Sequence, residues 1–163
     1  MRRNGIVALL VLGSLILQST FISVLPIKIK PDLVFVMVVL FALLNGVRDG
    51  MVVGGLAGLL QDILRGRLIG MNLLALALTS CIVGWLENKI YKENIMVPVV
   101  VVFLATLLHG VLMMLLAWIA GLDNPWQTGL RIGSIEALYN IFLVPLIYGK
   151  FLISTNRGAL RVE

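Results

Sequence analysis

From Ile95 to Ala120 the chain runs for 26 residues without a single Asp, Glu, Lys or Arg. At 1.5 Å of rise per residue, a helix of that length covers about 39 Å, more than the roughly 30 Å of hydrocarbon in a bilayer. The whole chain has only 163 residues, of which 60% are hydrophobic and 13% charged. A soluble domain carries about 25% charged residues, and so short a chain cannot hide this much apolar surface in one aqueous core. The bilayer is the expected solvent. The same numbers argue against a soluble enzyme, a disordered segment and a nucleic-acid-binding module. The net charge of +5 reads as cytoplasmic Lys and Arg near anionic lipid, because no basic run is long enough to form a patch.

Five more apolar stretches complete an all-α, six-span bundle. Read along the chain, the spans are Ile6–Leu25, Asp32–Val47, Gly50–Leu64, Leu68–Leu86, Ile95–Ala120 and Arg131–Gly149. Six helices use about 120 residues and leave about 43 for tails and loops, so residues 1–163 form one integral membrane domain. The first stretch is longer than a signal-peptide core and ends without a small-x-small cleavage site, which predicts a retained span. Pro26 and Pro31 bracket Lys28 and Lys30 in a water-facing break, and Asp32 is placed to cap the next helix. Asn45–Gly50 reads as a polar turn, Glu87–Asn94 and Gly121–Trp126 as loops, and Lys150–Glu163 as a polar tail. Spans two and three are each nearer 16 residues than 20, so local thinning or burial inside the bundle must compensate.

The charges set an orientation. With the N-terminus inside, the cytoplasmic side carries eight basic residues: Arg2, Arg3, Arg48, Lys89, Lys92, Lys150, Arg157 and Arg161. The outer side carries five: Lys28, Lys30, Arg65, Arg67 and Arg131. If the third span failed to cross, the counts would become six and seven, so the positive-inside rule favours six crossings with both termini cytoplasmic. Trp85, Tyr91 and Tyr148 then fall near the inner interface, and Phe21, Trp118 and Trp126 near the outer one.

Few side chains are left to carry chemistry. Gly46, Gly50, Gly54 and Gly58 recur every four residues, a spacing that lets a neighbouring helix come close. The spacing fits a helix of the chain's own and a partner's alike, and Gly54 and Gly58 are candidates for either. Gln61 and Asp62 close that span, with Arg65 in reach to pair with Asp62. Glu136, Tyr139 and Asn140 form a polar stripe on the last span, with Glu136 about 7 Å below the outer interface at 1.5 Å per residue. His109 sits in the middle of the fifth span with Thr106 one turn back. Gln18, Ser19, Thr20 and Asn72 could join the same interior network. A partner-binding or pocket set therefore comprises Asp32, Gly54, Gly58, Gln61, Asp62, Asn72, His109, Glu136, Tyr139 and Asn140. The one cysteine, Cys81, reads as a packing residue, and one histidine cannot build a multi-His metal site. No cofactor or metal is expected. No nucleophile elbow, zinc-protease motif or Walker loop is present, so no enzymatic activity is expected.

These residues also resemble a family. Pro31-Asp32-Leu33, Gly46, the run Gly54-x3-Gly58-Leu59-Leu60-Gln61-Asp62, Gly70-Met71-Asn72, Gln18 and Glu136-x3-Asn140-x4-Pro145 together resemble the bacterial rod shape-determining protein MreD family. The resemblance covers nearly the whole length. It implies a multi-pass scaffold of the bacterial inner membrane that takes part in cell elongation. The implied direct partner is MreC, through its membrane helix and membrane-proximal segment. The indirect partners are MreB, RodA and the transpeptidase that works with RodA in lateral peptidoglycan synthesis. It further implies a fold similar to the S components of energy-coupling-factor transporters, with membrane lipid around it, and leaves a homo-oligomer through the complex open. Two other readings stand beside it: a substrate-binding subunit of a vitamin importer, and a proton-coupled transporter using His109 and Glu136.

Overall fold

The computed structural model describes residues 13–16, 18, 31–66, 69–87, 96–122 and 125–157. Helices dominate, and there is no strand among the described residues. In chain order they are α1 (residues 13–16 and 18), α2 (Leu33–Asn45), α3 (Val47–Arg65), α4 (Met71–Trp85), α5 (Met96–Ile119) and α6 (Pro125–Arg157). Most of the expected first span, Ser19 and Thr20 in it, Arg67, the Glu87–Asn94 loop beyond Glu87 and the end of the tail lie outside the described residues.

The core is α2. It is apolar on every side, and a helix of that kind has to be enclosed by others. Val34, Phe35, Val36 and every residue from Val38 to Leu44 are buried, with α3, α4, α5 and α6 all packed against the helix. Its 13 residues reach only about 20 Å at 1.5 Å each. Burial against protein, rather than thinning of lipid, accommodates that shortness.

Glycines set how closely the helices approach. The expected Asn45–Gly50 turn contracts to one residue, Gly46, whose φ of 86° reverses the chain. Its N–H closes α2 by donating to the Ala42 carbonyl at 2.9 Å, and Asp49 falls in the first turn of α3, where a carboxylate suits the positive helix end. The glycine face of α3 lies on α4. An added methyl at Gly54 would stand 2.9 Å from the Leu76 carbonyl oxygen, and one at Gly58 would stand 2.7 Å from Leu73 Cα and overlap the Asn72 carbonyl. On α4, a methyl added at Gly84 would stand 2.6–2.7 Å from the backbone of Gly46 and Val47. The choice left open by the spacing is thus settled geometrically: α4 of the same chain covers Gly54 and Gly58, and this face is not free for a partner helix.

The α3–α4 hairpin carries a carboxylate at each end. Asp62, near the end of α3, meets the start of α4. Glu87, just beyond α4, places its Oε2 2.6 Å from where a Gly46 side chain would begin, at the start of α3. Each negative group lies at the positive end of the neighbouring helix.

The last two helices form a second hairpin. α6 begins at Pro125 and runs 33 residues, through Pro145, so it extends past the expected Arg131–Gly149 span at both ends. Proline is well suited to a first helical position, since its absent N–H has no partner there anyway. Near this joint the Met114 side chain fills the place a Gly129 side chain would take. Trp118 and Trp126 are exposed at this end and Trp85 at the end of α4. Large apolar side chains also point outward from each of these helices, among them Val52 and Leu56, Leu74 and Leu78, Val100 and Leu104, and Leu138 and Phe142. The polar side chains of Asp32, Gln61, Asp62, Asn72, Thr106 and Asn140 point inward.

Candidate functional site

Asp32 is the joint on which the helices converge. It caps α2 through its own side chain, which accepts from the Phe35 N–H at 2.9 Å. From α3, the Gln61 amide donates to both carboxylate oxygens at 3.0 Å, and the Arg65 guanidinium bonds Oδ2 at 3.1 Å. From α6, the Asn140 side-chain oxygen accepts the Asp32 backbone N–H at 3.1 Å. The Asn140 amide then donates to the Thr106 hydroxyl of α5 at 3.3 Å, and that hydroxyl donates to Val102 O at 2.7 Å. From α1, Gln18 accepts the Val34 N–H at 3.3 Å. Gln61 and Asn140 are essentially inaccessible (2% and 0%), whereas the Arg65 side chain is 44% exposed. The joint is therefore closed on the bundle side and open at Arg65.

The expected pairing of Asp62 with Arg65 does not form. Asp62 is already consumed: its oxygens accept from the N–H groups of Gly70 (2.8 Å), Asn72 (3.1 Å) and Leu73 (3.1 Å), and from the Asn72 side chain (2.8 Å). The first turn of α4 has orphan N–H donors that need such an acceptor, and Asp62 supplies it. Freed from it, Arg65 reaches Asp32. Replacing Asp62 by Asn would turn a donor toward N–H groups that need an acceptor. The expected cost is about 1–2 kcal/mol, the usual penalty for lost caps and unsatisfied buried donors. It is read as a lower midpoint in thermal unfolding of the purified protein in detergent, with Asn72→Ala giving a smaller drop.

The remaining candidates separate. His109 lies against Phe35, with ring centroids 5.0 Å apart and planes at 49°. Its Nδ1 is shielded and has no hydrogen-bond partner among the described residues. Glu136 is half-buried on α6, one turn before Asn140, and the charges of Asp32 and Arg65 act on it. No hydrogen bond from a described residue reaches its carboxylate. Tyr139 departs from the expected stripe: it is 38% exposed. Adjacent residues project about 100° apart around a helix, so with Asn140 turned fully inward Tyr139 stands at the edge of that face and is partly exposed. Because α6 starts at Pro125, Glu136 lies eleven residues into the helix, about 17 Å along its axis at 1.5 Å each. Sequence reasoning overlooked Arg65 as the partner of Asp32. Its only signal was a basic residue on the side where the charge count disfavours one.

The described residues form an all-helical bundle with apolar side chains outside and a polar joint inside; α5 is long and apolar enough to cross a bilayer. The sequence profile of the rod shape-determining protein MreD family matches residues 3–153, and the chain belongs to that family. It is a family of rod shape-determining membrane proteins and not a known enzyme family. No curated protein and no solved structure matches the chain.

Proposed function

We propose that the chain is a non-enzymatic scaffold of the bacterial elongation machinery that binds MreC in the plane of the membrane. In this reading it crosses the inner membrane six times as a single domain with both termini cytoplasmic, in a bundle like that of the transporter S components. Through MreC it supports MreB, RodA and the transpeptidase partner of RodA in lateral peptidoglycan synthesis. The observation that carries the proposal is Glu136: a half-buried carboxylate eleven residues into α6, beside a joint whose other members are already bonded to one another. A charged group within a membrane bundle is costly and marks a place where a partner is needed. Membrane helices gain little by leaving lipid, so association has to come from close packing and interhelical hydrogen bonds.

The test uses the full chain with MreC, co-expressed and co-purified from membranes. Glu136→Ala combined with Asn140→Ala is expected to lower MreC recovery more than tenfold and to widen cells that depend on the variant. Recovery and width equal to wild type would refute the role of this site.

A further inference from the structure

Where α3 and α4 meet backbone to backbone, α4 and α5 are held apart. Between them runs a groove of about 550 Å³. Among the described residues it is bounded by Ile82, Val83 and Leu86 on α4 and by one side of α5 from Met96 to Leu108. Val83, Val101 and Ala105 form a buried floor, and Ile82, Val100 and Leu104 an exposed rim. Every lining side chain is aliphatic or a methionine, so none offers a hydrogen-bonding nitrogen or oxygen. Shape and chemistry together narrow what can lie there. From Met96 to Leu108 the helix rises about 18 Å, and the volume spread over that length gives a cross-section of roughly 30 Å². A helix with its side chains is about 10–12 Å across and needs roughly 80–110 Å². A stable protein interface also takes about 800 Å² from each partner, more than so narrow a slot presents. A polar small molecule needs a few placed donors or acceptors, and the lining has none. A single hydrocarbon chain fits, since its carbons pack about 3.5–4.0 Å from their neighbours.

We propose that the groove binds one acyl chain of a membrane phospholipid, held along α4 and α5 as a retained lipid rather than as passing solvent. The hydrophobic effect does not select this chain, because lipid tails are as apolar as leucine. Contact does. An unfilled slot forfeits dispersion attraction along its walls, and a chain lying on the floor of Val83, Val101 and Ala105 is touched from both helices as well as from below. The bound chain thereby completes the packing between the α3–α4 and α5–α6 hairpins. The inference is independent of the proposed partnership with MreC.

The experiment is native mass spectrometry of the full chain purified in detergent, with the retained lipid identified by fragmentation. Wild type is expected to carry one phospholipid per chain. Leu104→Trp lays a large ring across the groove from an exposed position, and Ala105→Leu fills the floor. Each is expected to lower phospholipid retention at least tenfold, with the unfolding midpoint in detergent kept. Val52→Trp, exposed on α3 and outside the groove, is expected to retain the lipid as wild type does. Detergent alone on the wild-type chain, full retention in both groove variants, or equal loss in Val52→Trp would each overturn the proposal. So would groove variants that keep the lipid but lose MreC or a second copy of the chain, since a protein would then occupy the slot. Wild-type protein that keeps its phospholipid but recovers no MreC would sink the scaffold reading and leave the lipid site standing.

Discussion

Gly58→Ala is expected to be the most damaging single-methyl change in the protein. The added carbon would overlap the Asn72 carbonyl and stand 2.7 Å from Leu73 Cα. Those are backbone atoms, held in place by the bonds of Asp62 to the first turn of α4, so they cannot rotate aside as a side chain would. Overpacking in a well-filled core usually costs about 1–3 kcal/mol, and more where nothing can move. We expect about 3 kcal/mol, read as a large fall in the midpoint of detergent unfolding and in the amount of protein held in membranes. Gly55→Ala is the control, since its methyl would find only Ala77 Cβ at 3.7 Å. Wild-type stability for Gly58→Ala would mean that α3 and α4 do not approach as described.

Asp32→Ala carries the second large effect. It removes the cap of α2, both bonds from Gln61 and the ion pair with Arg65. Losing one partner of a buried pair costs about 3–5 kcal/mol. Here the figure is moderated because Arg65 is 44% exposed and can turn to water, while loss of the cap adds about 1 kcal/mol. The expected total is about 3 kcal/mol. Asp32→Asn keeps a side-chain oxygen for the cap and should lose about half of that. Combining Asp32→Asn with Arg65→Gln should cost less than the sum of the two single changes, which a double-mutant cycle measures directly. Additive costs would show that the two side chains act independently.

Several of these features could be read in the sequence, because they follow from local chemistry. Asp32 beside Pro31 announces a helix cap, and the glycines at four-residue intervals announce close contact between helices. What the order of residues could not supply was which helix, and where it begins. The glycine stripe fits any partner with small residues facing it; that Leu76, Ser80 and the Asn72 backbone meet it is a matter of register between α3 and α4. Asp62 and Arg65 are three residues apart and look like a pair. Only the arrival of the α4 backbone at Asp62 shows that the pair is broken and that Arg65 serves Asp32. This also accounts for one of the two basic residues that the charge count left on the wrong side. Gly121–Trp126 and the residues up to Arg131 read as loop, whereas the helix takes up the chain at Pro125.

The enclosure of α2 has a consequence for how such a protein is made. A helix of 13 residues, ending in a carboxylate, is too short to rest alone in a bilayer about 30 Å thick. It becomes stable only when Arg65 and Gln61 arrive to satisfy Asp32 and the surrounding helices replace lipid on its flanks. The segment at the centre of the finished molecule is therefore among the last to find its place, although it leaves the ribosome early. A chain halted before α5 and α6 are synthesised has the α3–α4 hairpin but lacks two of the four helices that enclose α2.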